Sequence, residues 1–239
     1  MKILITGGTG ILGKELKKIF PDSLSPTRNE LDITDLRSVE NFLTHHNVDV
    51  IIHTAALTSV RKCEDDKQLC WLTNVQGTKN LVNTCQKLSP ETNFVYVSTA
   101  CVFDGHSEMY DENSVPYPEN FYALTKLLGE QHVSKLKNSL IVRTNFVGKE
   151  EWPYPKAFTD RFGTYLFADI VAKGISDILN EDMNGIVHLV GDKKISMYDL
   201  AKILTPSVQP MTLNDYSGPP LTIDMSLDTK KWKKYHLEK

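Results

Sequence analysis

The start of the chain constrains it most. Lys2-Ile3-Leu4-Ile5-Thr6 is a short apolar run, and Thr6-Gly7-Gly8-Thr9-Gly10-Ile11-Leu12-Gly13 follows directly. Leu12 to Phe20 then carries apolar residues at helical spacing. The run reads as a buried parallel strand feeding a helix through a glycine turn. Gly7 allows the tight turn, Gly10 lets the backbone approach a pyrophosphate, and Gly13 lets the helix pack close to the sheet. The N–H groups at the helix start then face phosphates. The glycines fall at 7, 10 and 13, one residue wider between the first two than the usual dinucleotide fingerprint.

Strand and helix signals alternate from there. Ser23 to Thr27 is a weak second strand, Ile33 to about His46 a helix capped by Thr34 or Asp35, and Val48 to His53 a strand. Lys67 to Lys87 reads as a long helix with Leu69, Leu72, Val75, Leu81 and Val82 on its apolar face. Asn93 to Ser98 is a strand, Phe121 to Lys137 a helix and Ser139 to Arg143 a strand. The expected fold is an α/β, Rossmann-type doubly wound parallel sheet, with strand order 3-2-1-4-5-6. After Gly148 the texture turns to charge, aromatics and proline. Phe167 to Leu179 then reads as a helix, Gly185 to Val190 as a strand, Ser196 to Ile203 as a helix capped by Ser196, Pro206 to Pro220 as irregular, and a last helix starts near Asp228. Residues 1–148 are thus expected to form a dinucleotide-binding domain. Residues 149–239 form a small, shortened substrate-binding lobe, with elements returning to the main sheet.

With 239 residues and a net charge of −3, the chain is the size of one large α/β unit and has no basic block to bind nucleic acid. Lys230-Lys231-Trp232-Lys233-Lys234 reads as a solvated helix. No apolar run reaches membrane-spanning length, and the first strand leaves no room for a signal peptide. Cys63, Cys70, Cys85 and Cys101 form no Cys-x-x-Cys pair, which suits a reducing cytoplasm, and the histidines lack metal-ligand spacing.

A second motif, Tyr122-Ala123-Leu124-Thr125-Lys126, lies in the helix expected from Phe121. Residues four apart share a helix face, so Tyr122 and Lys126 point into one cleft. A lysine ammonium and an oxidised nicotinamide both favour the phenolate, fitting Tyr122 to move a proton near neutral pH. In the reductive direction it gives that proton to a carbonyl oxygen as hydride reaches the carbon. The second strand ends Ser25-Pro26-Thr27-Arg28 without the carboxylate that would accept adenosine ribose hydroxyls. Arg28 offers a planar fork for a 2′-phosphate instead. NADP(H) is therefore favoured over NAD(H).

Further landmarks are Leu31-Asp32-Ile33-Thr34-Asp35, His53-Thr54-Ala55-Ala56, Asn74-Val75-Gln76-Gly77-Thr78, Val97-Ser98-Thr99 with Val102-Phe103-Asp104-Gly105, and Val142-Arg143-Thr144. With the glycine turn and Tyr122 to Glu130, they resemble the extended short-chain dehydrogenase/reductase superfamily, in particular its dTDP-4-dehydrorhamnose reductase-like branch. The resemblance implies cofactor contacts from Gly7, Thr9, Gly10, Ile11, Leu12 and Gly13, and from Arg28, Asn74, Tyr122 and Lys126. It also implies that Asp32 and Ile33 flank adenine, that Ala55 and Ala56 leave room for the cofactor, and that Lys126 bonds the nicotinamide ribose. Thr99 resembles the family's Ser/Thr that shares the carbonyl oxygen with Tyr122, with Ser98 as runner-up.

The chain departs from that branch in several places. Ala100-Cys101 stands where Asp-Tyr is usual, Arg61 where an aspartate is usual, and the segment after Gly148 is shorter before Asp160-Arg161-Phe162-Gly163-Thr164 rejoins the pattern. An arginine usual near Gly218-Pro219-Pro220 is missing. By charge alone, Arg61, Lys156 and Arg161 are candidates to hold a pyrophosphate. The resemblance implies a cytoplasmic reductase of a keto-sugar nucleotide, with homodimerisation left open. The alternatives are a nucleotide-sugar epimerase and a non-catalytic NADP-binding subunit like the regulatory subunit of methionine adenosyltransferase. The superfamily's dehydratases carry an Asp-Glu pair that Ala100-Cys101 cannot replace.

Overall fold

The structure, a computed structural model, describes residues 1–181 and 183–238; the expected end of the C-terminal segment, Lys239, lies outside the described residues. Strands β1 (Ile3–Thr6), β2 (Val50–His53), β3 (Asn93–Thr99), β4 (Ser139–Thr144) and β5 (Gly185–Leu189) form the central sheet in that spatial order, all parallel. Helices α1 (Ile11–Ile19), α2 (Leu36–His45), α3 (Val60–Asp65), α4 (Lys67–Trp71), α5 (Gly77–Leu88), α6 (Phe121–Val133), α7 (Ala168–Leu179) and α8 (Met197–Leu204) complete the main elements. No helix among the described residues is long and apolar enough to cross a membrane.

Strand alternation supplies two cores. Ile3, Ile5, Ile52, Val97 and Val142 face one side, under α1 and α7, while Leu4, Ile51, Phe94, Tyr96 and Ile141 face the other, under α2, α5 and α6. Period-two side chains that are apolar on both faces are what a sheet covered by helices on each side requires. Caps set the helix starts: the side chain of Asp35 accepts from Arg37 N, that of Asn120 from Ala123 N, and that of Ser196 from Asp199 N.

The expected strand order is corrected. The 23–27 segment contributes a single bridge, Leu24 to Leu4, on the outer side of β1. β2 pairs with the opposite side of β1, Ile3 with Val50 through Thr6 with His53. The cause is local. Between Leu24 and α2 the backbone turns, with Leu31 N bonded to Thr27 O at 3.0 Å and Asp35 N to Asp32 O at 3.1 Å. No strand forms there to extend the edge, so α2 carries the chain straight back across β1. Chain progression thus reverses between β1 and β2, and the crevice at their carboxyl ends is where ligands bind in open α/β sheets.

Other expectations shift. The long helix does run from α4 to α5, but through a π-helical turn at Leu72–Gln76, which rotates Leu69 and Leu72 into solvent while Val75, Leu81 and Val82 stay buried. The stretch expected to be irregular contains a strand, Gln209–Met211, paired in parallel with Lys156–Phe158, and a 3₁₀ turn at Leu213–Asp215. Phe162–Gly163 is flanked by Ile195–Ser196 and Asp224–Met225. The final helix is absent from the described residues. The N–H groups of Lys231 and Trp232 bond the Thr229 hydroxyl, and Tyr235 bridges to Gly191. The lysines of this tail pair within the chain: Lys230 with Asp111, Lys233 with Asp177 and Lys234 with Asp228.

Candidate active site

Two cavities open at the carboxyl ends of the strands, one on each side of the glycine turn. The first, about 340 Å³, is bounded by the glycine turn, Arg28, Asp32, Ile33 and Ala55. The second, about 420 Å³, is bounded by the turn with Ile11, Leu12 and Gly13 on one side and Thr99, Tyr122 and Lys126 on the other. Gly7, Gly10, Thr54 and Ala56 line both. Thr9 lines the first only.

The turn's glycines separate by cause. Gly7 has φ +75° and an added Cβ would lie 2.7 Å from Ala55 N, so backbone conformation and the β2 crossover both demand glycine there. Gly13 would meet Gly7 O at 2.3 Å and Gly8 Cα at 2.6 Å. Gly10 differs. Its φ of −71° suits any residue, and an added Cβ would meet only Gly7 O, at 3.2 Å. Inside the protein little forbids a side chain at position 10; that Cβ would fill the cradle between the cavities. Gly10 is also the N-cap of α1, and the first turn receives no side-chain cap. Amides left to an outside acceptor at a helix start are a ready phosphate site. These residues fit a bound dinucleotide.

In the first cavity Arg28 Nε bonds Asp32 Oδ2 at 3.3 Å, with the arginine side chain largely exposed. Burial pushes the Asp32 carboxyl up, but the Thr34 hydroxyl and amide and the Arg28 guanidinium outweigh it and hold it below the usual range.

In the second cavity Tyr122 and Lys126 project from α6 into the same space, and Thr99 ends β3 opposite them. Ser98 also lines the cavity, but its hydroxyl donates to Glu130 Oε1 at 2.5 Å. Glu130 is itself held by a bidentate Arg143 pair, with both side chains 2 % exposed. Thr99 Oγ1 accepts from Cys101 N at 3.1 Å, leaving its O–H to point at the phenol. The Tyr122 phenol is raised above its ordinary value, chiefly by burial and then by the neighbouring Cys101 thiol; a Thr99 hydrogen bond pulls the other way. The expectation that Lys126 lowers the phenol is therefore corrected: in the unliganded site burial dominates. Lys126 is itself lowered to about 7 by burial, against the pull of Glu130 and Cys70. Its Nζ donates to Val97 O at 2.8 Å and sits 4.0 Å over the Tyr96 ring.

Asn74 lines neither cavity. Its Oδ1 accepts from Leu57 N at 2.7 Å, and its Nδ2 donates to Leu57 O and to Thr125 Oγ1, each at 3.0 Å. The π-helical turn thus ties the loop after β2 to the residue beside Lys126, which is a positioning role. His53 lies beneath, bonded to the Thr6 hydroxyl at 2.6 Å and the Thr78 hydroxyl at 3.0 Å, and burial holds it neutral down to about 3. Thr144, named from the sequence only as a landmark, and Asn145, not singled out there, both line the second cavity. The available signal was their place just after an apolar strand of the parallel sheet.

Comparison with known proteins agrees with this geometry. The family model described as RmlD substrate binding domain matches residues 1–215. A dTDP-4-keto-6-deoxy-D-glucose reductase of Streptomyces niveus is 30 % identical over 221 residues, covering 84 % of this chain and 76 % of that protein. Methionine adenosyltransferase 2 subunit beta of Xenopus laevis is 27 % identical, covering 98 % of this chain and 82 % of that one. The crystal structure of dTDP-4-dehydrorhamnose reductase from Bacillus anthracis in complex with NADP superposes with a TM-score of 0.87 at 26 % identity, covering 95 % of this chain and 90 % of that one. With a fold, a glycine cradle and a family match that agree, the chain belongs to the RmlD substrate binding domain family, a branch of the extended short-chain dehydrogenase/reductases.

Proposed function

We propose that this protein is an NADP(H)-dependent reductase of a keto-sugar nucleotide. The observation that carries the reading is the pair of cavities sharing the Gly7 and Gly10 wall, one holding Arg28 and the other Thr99, Tyr122 and Lys126. A dinucleotide needs two such chambers joined at its pyrophosphate. Residues 1–148 hold it, and residues 149–239 shape the substrate side. Gly10 and the α1 amides take the pyrophosphate, Arg28 the 2′-phosphate, and Lys126 the nicotinamide ribose. When bound, NADPH supplies the hydride.

The chain's own residues supply the proton and the orientation. Tyr122 donates its phenolic proton to the carbonyl oxygen. A phenol holds its proton at neutral pH, which is the state a reduction requires. Thr99 bonds the same oxygen and steers it toward the phenol. The buried Glu130–Arg143 pair fixes Ser98, and Asn74 fixes Thr125, so the strand end and the helix keep their spacing.

The similarity to a methionine adenosyltransferase subunit supports a second reading, a non-catalytic NADP-binding subunit. A screen of nucleotide-linked 4-keto sugars with NADPH, followed by nicotinamide absorbance, separates the two. Turnover with at least one keto sugar is expected; cofactor binding with no turnover on the whole panel favours the subunit. NADP+ released only on denaturation, with interconversion of sugar epimers, would indicate an epimerase.

A further inference from the structure

Asn145, in the wall of the second cavity, reaches toward a sulfur that lies behind that wall. Three donors from three parts of the chain aim at Met225 Sδ: Cys101 Sγ at 3.5 Å, Arg161 Nη2 at 3.6 Å and Asn145 Nδ2 at 3.8 Å. A thioether is a weak acceptor, and charged donors ordinarily find much stronger ones.

Arg161 shows the mismatch best. It is 8 % exposed. Its one firm bond is Nε to Thr222 O at 3.1 Å, while Nη1 faces the Met197 sulfur at 3.9 Å and the guanidinium lies 5.3 Å over the Phe158 ring. No carboxylate among the described residues pairs with it. The other deeply buried guanidinium, Arg143, has a bidentate carboxylate at 2.7 and 3.0 Å. A buried cation left with a carbonyl, a ring and two sulfurs is a site short of an anion. A second group is also short of a partner: Thr144, a residue of the second cavity's wall, has a buried Oγ1 that makes no hydrogen bond. Asn145, the next residue, connects that cavity to Met225.

The other cations proposed from charge are spent or outlying. Arg61 Nη2 donates to Ser217 O at 3.1 Å on the surface, and Lys156 is exposed.

We propose that Arg161 is the anion-binding residue of the substrate-side cleft, that it takes a diphosphate oxygen of the sugar nucleotide, and that the Met225 sulfur stands in for that oxygen in the unliganded protein. This rests on the sugar-nucleotide reading for the identity of the anion, while the subsite stands on its own geometry. The carbonyl end of the substrate lies at Thr99 and Tyr122. Its hydroxyls pass Thr144 and Asn145, and its diphosphate reaches Arg161 as the Met225 side chain turns away.

The test uses protein saturated with NADP+, so that the glycine cradle is filled, and titrates it with inorganic pyrophosphate and with dTDP by calorimetry. Wild type is expected to bind both. Arg161→Gln is expected to weaken both at least about tenfold, and Arg161→Lys to restore part of the loss. Met225→Leu keeps the volume but removes the acceptor, so it is expected to bind at least as well as wild type. In protein with ¹³C-methyl methionine, the Met225 resonance, identified by its loss in Met225→Leu, is expected to shift on adding dTDP to wild type and not to Arg161→Gln. The proposal is overturned if wild type binds neither probe, or if Arg161→Gln, with NADP+ affinity intact, binds both within about twofold of wild type. Arg161-dependent pyrophosphate binding without turnover of any keto sugar would leave the subsite standing and sink the proposed reaction.

Discussion

At Tyr122, deleting one oxygen separates proton transfer from binding. Tyr122→Phe keeps the ring in its buried cluster with Cys63 and Cys70 but removes the donor. Turnover is expected to fall about a hundred- to ten-thousand-fold, with NADPH affinity nearly unchanged; stopped-flow reduction on an authentic substrate measures both, and a wild-type rate would remove Tyr122 from the role. Lys126 carries a pH signature. Its folded value of about 7 lies below that of an unfolded lysine, so between them the unfolded chain binds more protons and unliganded stability rises with pH. Relative to Lys126→Met, wild type should gain about 2 kcal/mol between about pH 7 and pH 9 in urea unfolding, and a constant difference would contradict it. Arg28 is read by cofactor choice: NADPH should bind more tightly than NADH, and Arg28→Ala should erode that preference about tenfold or more, near 1.4 kcal/mol. NADH bound about tenfold tighter than NADPH by wild type would refute it. These residues were legible because each sits at a fixed offset from a strand end or a helix start. The Glu130–Arg143 pairing was not, although both residues fall within landmark stretches, because it spans a helix and a strand that only the packed sheet brings together.

The glycine turn allows an element to be tested against itself. Gly13→Ala would drive a Cβ into backbone at 2.3 and 2.6 Å, which nothing flexible relieves, so the α1 contact should fail and stability should drop by several kcal/mol, or about 3. Gly10→Ala meets only Gly7 O at 3.2 Å, so the fold should survive with a loss near or below about 1 kcal/mol while NADPH affinity collapses. Thermal melts with and without NADPH distinguish them: Gly10→Ala should melt close to wild type and lose the cofactor-induced shift. Equal destabilisation of both variants would mean that the protein, not the ligand, demands glycine at position 10. Elements with long periodic patterns, such as α5, α6 and α7, could be read directly. The small strands at 156–158 and 209–211 could not, since runs of three residues pairing across the lobe carry no period of their own. Asn74 was legible as a landmark but not as a clamp, because the π-helical turn that aims its carboxamide at Leu57 leaves no mark in spacing.

Across the whole molecule, strand order turned on one missing strand, and the C-terminal tail turned on one carboxylate. β5 is the sheet's outer strand beyond β4, and its exposed N–H groups would invite pairing with another chain. Glu112, in the connection between β3 and α6, prevents this. Its Oε1 accepts from His188 N of β5 at 3.1 Å and from the Thr229 hydroxyl at 2.7 Å, and its Oε2 accepts from Lys230 N at 3.0 Å. The tail is thereby laid along the edge, where Tyr235 N reaches Val190 O at 3.0 Å. The helix expected from Asp228 onward gives way to this edge pairing, in which Tyr235 N goes to Val190 O and Tyr235 O accepts from Asp192 N in place of partners one helical turn away. Burial pushes the Glu112 carboxyl up, but the bonds from Lys230, Thr229 and His188 hold it below the usual range. With the folded value depressed, the unfolded chain binds more protons as pH falls through that window, so the clamp's stability is present above the unfolded glutamate value and is lost in acid. Glu112→Gln turns one acceptor into an N–H facing other donors and should cost about 2–4 kcal/mol at neutral pH, since hydrogen bonds to a charged group are worth about 1.5–3 kcal/mol each. Urea midpoints should differ at neutral pH and converge below about pH 4. Hydrogen exchange should quicken at His188 and Tyr235 in the variant while α1 and β1 keep their protection. Equal midpoints at neutral pH, or loosening that begins at the glycine turn, would show that the edge is held by something other than this carboxylate.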